Sequence, residues 1–505
     1  MHPNNHPYLY RSIRVTVRRK AEPLCICHDS EVSPLIFNSL SFLFAFLPIF
    51  LIVYFCIPER LRLFCLLLGS LFFYGVGVHR SLWMLALLLL SALINAVIGG
   101  RIAQSLTRRC RRRWLLRGIV YNLFWLLLFK YANPLLAMSR ALFSHFGLQF
   151  LPELQTLPMP PGISFYTFAA LSYLIDVSRR DVRWERSIPR FAAWFSMFPQ
   201  LLSGPITRYK ALQPSLLHPH TSLDRLECGL REFTIGLGLK VLLADRLGGL
   251  WAAAAGIGYD AISPQLAWMA LVAYSLQLYF DFYGYSLMAK GLGFMLGFEL
   301  PDNFNHPYVS LSMTDFWRRW HMTLGAWFRD YVYIPLGGSR GGKTKTLRNL
   351  LIVWMLTGIW HGAHWNFLLW AGFLFLLIGL EKSWLLPFLN RHRLFGHVYM
   401  CLVIPLSWLL FALQSPAQIA LYLQRLFPLF ALQPASYFAG DFVKYGLQYG
   451  LFLATGLLFM TPLPRRIYER WKQSPATAVL LLFIFWLSVH GIVQGANDPF
   501  LYFNF

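Results

Sequence analysis

The chain has 505 residues, of which 57% are hydrophobic, 17% aromatic and only 13% charged. A soluble globular domain carries about 25% charged residues, so a water-soluble fold is excluded, because a chain of this length could not hide that much apolar surface. The net charge of +23 would suggest nucleic acid in a soluble protein, but here the basic residues cluster in short loops between apolar runs, which is topology and argues against a nucleic-acid partner.

Residues 1–34 hold the basic run RSIRVTVRRK at 11–20 and lack the apolar core of a secretory signal. They are expected to form a poorly defined basic tail ahead of a membrane domain over 35–505. Apolar runs follow at 35–57, 63–78 and 82–99, then at 118–138, 161–178, 190–206, 233–250 and 264–296. Others lie at 348–361, 365–380, 398–414, 443–461 and 476–494. Some are short or polar enough to be re-entrant or interfacial. The fold class expected is all-α and polytopic, with roughly ten to twelve membrane helices by the length rule of about 20 residues per span.

Loop 101–117 carries Arg101, Arg108, Arg109, Arg111, Arg112, Arg113 and Arg117, and loop 179–190 carries Arg179, Arg180, Arg183, Arg186 and Arg190. The positive-inside rule puts both in the cytoplasm. Counting back three spans places residue 35 outside and Arg60 and Arg62 inside. The Pro-rich stretch 139–160 then falls outside. The seven cysteines show no metal or disulfide spacing and are expected as small apolar fillers.

The polar region 299–348 is unusual in being rich in aromatics. Within it, MTDFWRRWHMTLGAWFRDYVYIPL (313–336) interleaves Phe316, Trp317, Trp320, Trp327 and Phe328 with Arg318, Arg319, His321, Arg329 and Asp330. An amphipathic helix is expected, capped by Thr314 or Asp315, lying at the interface or lining a cavity. Next comes GGSRGGKT (337–344), a letter-for-letter match to the phosphate-loop pattern. No strand delivers it and no βαβ pattern exists, so nucleotide hydrolysis is set aside. Arg340, Lys343 and Lys345 remain as a basic cytoplasmic loop able to meet the phosphates of a bulky donor or an acidic carrier, or simply to mark topology.

His361 and His364 lie three residues apart in LTGIWHGAHWNFLLWAGF (356–373), among Trp360, Trp365, Phe367 and Trp370. No ligand set assembles around them, so no metal is expected. Ionisable residues at membrane depth are functional candidates, and a neutral imidazole suits proton removal from a hydroxyl. Gly362 beside it permits a close approach of backbone or substrate. His321 is the second candidate. Asp281, in YFDFYGYS (279–286), is a buried carboxylate that needs a partner, for which an internal salt bridge is the plainer reading. A transporter using His and Asp281 as a proton relay is the rival from another class, but the internal repeats of transporters are not seen. A scaffold that only recruits a transferase is the third reading.

The blocks FPQLLSGPITRY (198–209), YFDFYGYS (279–286), 297–338 and IWHGAHWNFLLW (359–370), with PFLYFNF (499–505) at the end, together resemble the membrane-bound O-acyltransferase family. The resemblance is strongest to its bacterial alginate O-acetylation branch, with the teichoic acid D-alanyl transfer proteins as cousins. It implies a ring of membrane helices around a central tunnel, with His361 as the catalytic histidine and His321 as a second functional histidine. It further implies acetyl-CoA or another acyl thioester as donor, no permanently bound cofactor, and a bacterial inner-membrane location. A periplasmic O-acetyltransferase partner and polysaccharide synthesis machinery would complete the system. Trp317, Trp320, Arg318, Arg319, Asp281, Trp360, Trp365 and Asn366 would line the donor and substrate tunnel, and Trp360 and Trp365 would exclude water. The chain departs from the branch's pattern at Tyr283, Leu287, Ala412 and Asn504, which leaves the acceptor open between alginate, another exopolysaccharide, cellulose, peptidoglycan and teichoic acid.

Overall fold

The computed structural model describes residues 35–78, 81–146, 156–430 and 437–495. The basic tail, the PFLYFNF ending and Asn504 lie outside the described residues. Every regular element among the described residues is helical, which is how backbone satisfies its own polar groups in lipid.

Among the described residues six helices are long and apolar enough to cross a membrane: Glu59–Gly77, Leu82–Ala103, Arg108–His145, Trp365–Arg391, Arg393–Ala412 and Pro475–Val493. The pair Asp441–Phe459 and Leu463–Trp471 is apolar enough together but bent by 73°, the shape of a broken span or a re-entrant loop. Leu82, Leu451 and Val479 stand exposed on these outer helices; such apolar faces would drive aggregation in water and are solvated by lipid tails in a bilayer. This is a multi-pass membrane protein. The other expected apolar runs form helices of a second kind, shorter or carrying polar groups. Run 190–206 divides into Ile188–Phe195 and Phe198–Leu201, with Pro199 at the start of the second piece.

Pro264–Met295 is the longest of this second kind, at 32 residues, and is buried along most of its length. Ser263 caps it, its hydroxyl accepting from the Leu266 amide at 3.1 Å. Two glycine pairs let it lie almost backbone to backbone against Leu223–Gly238. A Cβ on Gly229 would sit 2.5 Å from the Gly291 carbonyl oxygen, and one on Gly236 would sit 2.5 Å from that of Gly284. Gly236→Val is therefore expected to destabilise the fold by at least about 1–3 kcal/mol, the usual cost of overpacking. A lowered midpoint in thermal unfolding of the detergent-solubilised protein would register it. Asp281 finds its partner in the same region: the Lys240 ammonium lies 2.8 Å from Asp281 and 2.5 Å from Asp245, with all three side chains buried. The internal salt bridge is thus the reading that holds for Asp281.

The 313–336 stretch is not one amphipathic helix. Ser312, not Thr314 or Asp315, caps Met313–Arg319 by accepting from the Asp315 amide. Trp320 is extended (φ −100°, ψ 130°), His321 is left-handed (φ 43°), and a second short helix runs Met322–Phe328. Phe316, Trp320, Trp327 and Phe328 are all buried, so the segment packs inward and lines a cavity.

Candidate active site

The helix Gly342–His361 ends at the histidine because Gly362 leaves the helical conformation (φ 174°, ψ 175°). The chain then turns back into Trp365–Leu380. Glycine allows the return: a Cβ on Gly358 would meet the Phe367 carbonyl oxygen at 2.7 Å, and one on Gly362 the Phe367 ring at 2.5 Å. The imidazole of His361 is buried in an aromatic cage. Its ring centroid lies 4.7 Å from Trp360, 5.1 Å from Trp370 and 5.2 Å from Phe411, the last two edge-on.

His321 is held differently. Left-handed backbone at a non-glycine residue costs of order 1–3 kcal/mol and persists only where its surroundings fix it. Here the Met322 amide donates to the Asn303 carbonyl at 2.9 Å, and the His321 ring packs edge-on against Phe282 at 4.7 Å. The Asn303 side chain then sets the tautomer. Its Oδ1 accepts from the Thr323 amide at 3.4 Å and from the Thr323 hydroxyl at 2.9 Å, and that hydroxyl in turn accepts from the Ile206 amide at 3.1 Å. An amide N–H can only donate, so Oδ1 is the end of Asn303 that faces His321 Nδ1, 2.9 Å away. The neutral ring therefore carries its proton on Nδ1 and its lone pair on Nε2. Nε2 has no hydrogen-bond partner among the described residues.

Both histidines line one cavity of about 250 Å³. The ring of Trp360 bridges them, 4.7 Å from His361 and 6.5 Å from His321. Trp317, Trp320, Trp370 and Trp408 form its apolar walls, and Arg318, Arg329 and Lys382 also line it. Arg318 and Lys382 are exposed, so the cavity reaches from a basic rim to two buried imidazoles. The indole N–H groups of Trp317 and Trp370 are buried without a partner among the described residues. Buried polar atoms are nearly always paired, and a group of unpaired ones around a cavity marks a place for a ligand. At the rim Arg329 contacts Asp330, to which Arg208 is also paired at 2.8 Å. Burial alone would raise the Asp330 carboxyl, but the two guanidiniums more than offset it and hold it below the usual carboxylate range.

The structure thus brings together His361, His321, Trp317, Trp320 and Arg318, with Trp360 between the histidines. Other expected site residues stand apart. Arg319 pairs with Asp315 at 2.9 Å. Trp365 is exposed, and its indole donates to the Gln414 carbonyl at 2.8 Å, so it walls off nothing. Asn366 is buried but ties two helices together by donating to the carbonyls of Leu410 and Phe411. Asp281 belongs to the Lys240 cluster, and Arg340, Lys343 and Lys345 are exposed and do not line the cavity. Sequence reasoning missed Asn303, Trp370, Trp408 and Lys382. Trp370 had a signal in sharing the aromatic block of His361, and Asn303 one in being an amide in an aromatic stretch, but neither signal says which side chain it serves.

A family model described as MBOAT, membrane-bound O-acyltransferase family, matches residues 185–424, the part that holds both histidines and Asn303. Among similar proteins, a probable alginate O-acetylase of Pseudomonas aeruginosa is 41% identical over 356 residues, which is 69% of this chain and 66% of that protein. A probable alginate O-acetylase of Pseudomonas putida is 34% identical over 93% of this chain and 100% of its own length. The peptidoglycan O-acetyltransferase of Helicobacter pylori is 34% identical over 73% of this chain and 72% of its own. Likeness of that extent, together with two buried histidines lining one cavity inside a helical membrane protein, makes this chain a member of the membrane-bound O-acyltransferase family and an O-acyltransferase by class.

Proposed function

We propose that this chain is an inner-membrane O-acetyltransferase that takes acetyl from a cytoplasmic thioester, acetyl-CoA or its like, and passes it outward for O-acetylation of an exopolysaccharide of the alginate kind. The observation that carries this reading is the cavity that joins exposed Arg318 and Lys382 to the buried rings of His321 and His361. Neither Arg318 nor Lys382 forms an ion pair among the described residues. Phosphates on a pantetheine-bearing donor suit such a rim, because charge-assisted contacts are the strong ones. The thioester would then lie among the tryptophans, away from water that would hydrolyse it.

His361 takes the proton of the acceptor hydroxyl as its oxygen attacks the thioester carbonyl carbon. The C–O bond forms, the C–S bond breaks, and the imidazolium returns its proton to the departing thiolate. His321, with Nε2 as an acceptor, orients the incoming hydroxyl and does not donate to the oxyanion. The indole N–H groups of Trp317 and Trp370 are the donors for the developing negative charge. The acetyl group leaves on the periplasmic side to a separate transferase working with the polysaccharide machinery. The relatives' names favour polyuronate as acceptor, with peptidoglycan as the second reading.

Membranes holding the chain, given radiolabelled acetyl-CoA, should move label onto a polyuronate or onto a partner protein. Label on peptidoglycan alone would change the acceptor, and no acetyl transfer beside proton flux would favour the transporter. In the same assay Arg318→Ala with Lys382→Ala should raise the donor KM about 10-fold or more with little change in kcat, charge-assisted contacts contributing about 1.5–3 kcal/mol each. An unchanged KM would remove the phosphates from the rim.

A further inference from the structure

The last carbonyls of a helix have no partner within it, and those at the end of Gly342–His361 are taken by two consecutive residues of another helix, Arg108–His145. The Lys130 ammonium donates to the Trp360 carbonyl, and the Tyr131 hydroxyl donates to the Ile359 carbonyl. The same hydroxyl lies 3.4 Å from the Gly362 carbonyl oxygen. The two bonded carbonyls immediately precede His361, and the Gly362 carbonyl that follows it lies within reach of the same Tyr131 hydroxyl. Lys130 also sits 5.6 Å from the centroid of the Trp360 ring that separates the two histidines.

The delivering helix is shaped for this contact. Pro134 lies inside it, has no N–H for the carbonyl of Lys130 four residues earlier, and loosens the helix at that turn. Asn133 fixes the next residues by exchanging two hydrogen bonds with the Leu157 backbone, at 2.8 and 2.9 Å. A lysine inside a membrane helix is costly and needs a reason. A cation at a helix C-terminus is favoured by the helix dipole, and here that terminus is the residue pair Trp360–His361.

We propose that Lys130 and Tyr131 are positioning residues that clamp the end of the catalytic helix and so aim the His361 imidazole into the cavity. This rests on His361 being the base of the proposed transfer. Lys130→Met should lower kcat about 10- to 100-fold with the donor KM within about twofold of wild type, since a misplacement of about 1 Å costs that much. Lys130→Arg, which keeps a cation able to reach the same carbonyl, should recover most of the loss. Tyr131→Phe, which removes one hydroxyl, should lower kcat about 2- to 10-fold.

The readout is acetyl transfer from labelled acetyl-CoA in membranes, normalised to the amount of full-length chain inserted. Wild-type kcat in Lys130→Met, or Lys130→Arg as inactive as Lys130→Met at equal abundance, overturns the clamp. If Lys130→Met does not accumulate, the Tyr131→Phe and Lys130→Arg results decide. His361→Ala run alongside separates the two ideas. Transfer that survives it defeats the histidine assignment, and transfer lost there but normal in Lys130→Met and Tyr131→Phe defeats the clamp alone.

Discussion

His361→Ala is expected to lower acetyl transfer by about 10²–10⁴-fold, the range that a positioned general base supplies, while the chain still inserts and accumulates. The ring sits at the end of a helix that Gly358 and Gly362 hold against Phe367 from one side, and its cage of Trp360, Trp370 and Phe411 is built from three other residues. Removing the imidazole leaves a space lined by apolar rings without disturbing the backbone contacts that place it. His361→Gln is the sharper test, since it fills much of the space and keeps polar atoms but has no basic nitrogen. Acetylation at the wild-type level in either variant, measured as labelled ester per inserted chain, would end the assignment.

The second large effect is expected at Asn303, which touches no substrate in the proposed reaction. Asn303→Ala removes the acceptor for His321 Nδ1–H and for the Thr323 hydroxyl proton, while that hydroxyl still accepts from the Ile206 amide. The ring is then free to carry its proton on Nε2, where the reaction needs a lone pair. A comparable loss of tautomer control in the serine protease triad costs about 10⁴-fold. A fall of order 10²-fold or more in kcat is expected here, with the donor KM nearly unchanged because the rim at Arg318 and Lys382 is not involved. Ser286→Ala serves as its control. The Ser286 hydroxyl accepts from Asn303 Nδ2 at 3.2 Å, on the far side from the histidine, so its loss should cost far less. Equal defects in the two variants would mean that Asn303 holds the fold and not the proton.

Composition alone made the membrane and the helical class legible, because so few charges leave no other solvent. The two histidines were legible as polar groups stranded among aromatics. The tunnel lining was legible only in part. Trp317, Trp320 and Arg318 were found because they are neighbours of His321 in sequence, and Trp365 and Asn366 were wrongly grouped with them for the same reason around His361. Trp408 comes to the cavity from a helix further along the chain, and Trp370, though in the same block as His361, looked like any other of the many tryptophans. The break at Trp320 and His321 was invisible as well. Helical spacing of aromatics continues through it, and only the tertiary grip of Asn303 pulls that residue into the left-handed region. Asp281 shows the opposite case, where the need of a buried carboxylate for a cation was plain and Lys240 met it.

The backbone at His321 bears on how this protein can lose its activity without losing its shape. At φ 43°, asparagine and glycine are tolerated where valine or isoleucine would be forced out. Descendants of such a chain that drift away from catalysis have a short list of comfortable replacements there, headed by asparagine, which is also small and polar. A copy bearing asparagine at this point would keep the backbone and an acceptor oxygen while losing the imidazole, so helices and family likeness alone would not tell it from this chain.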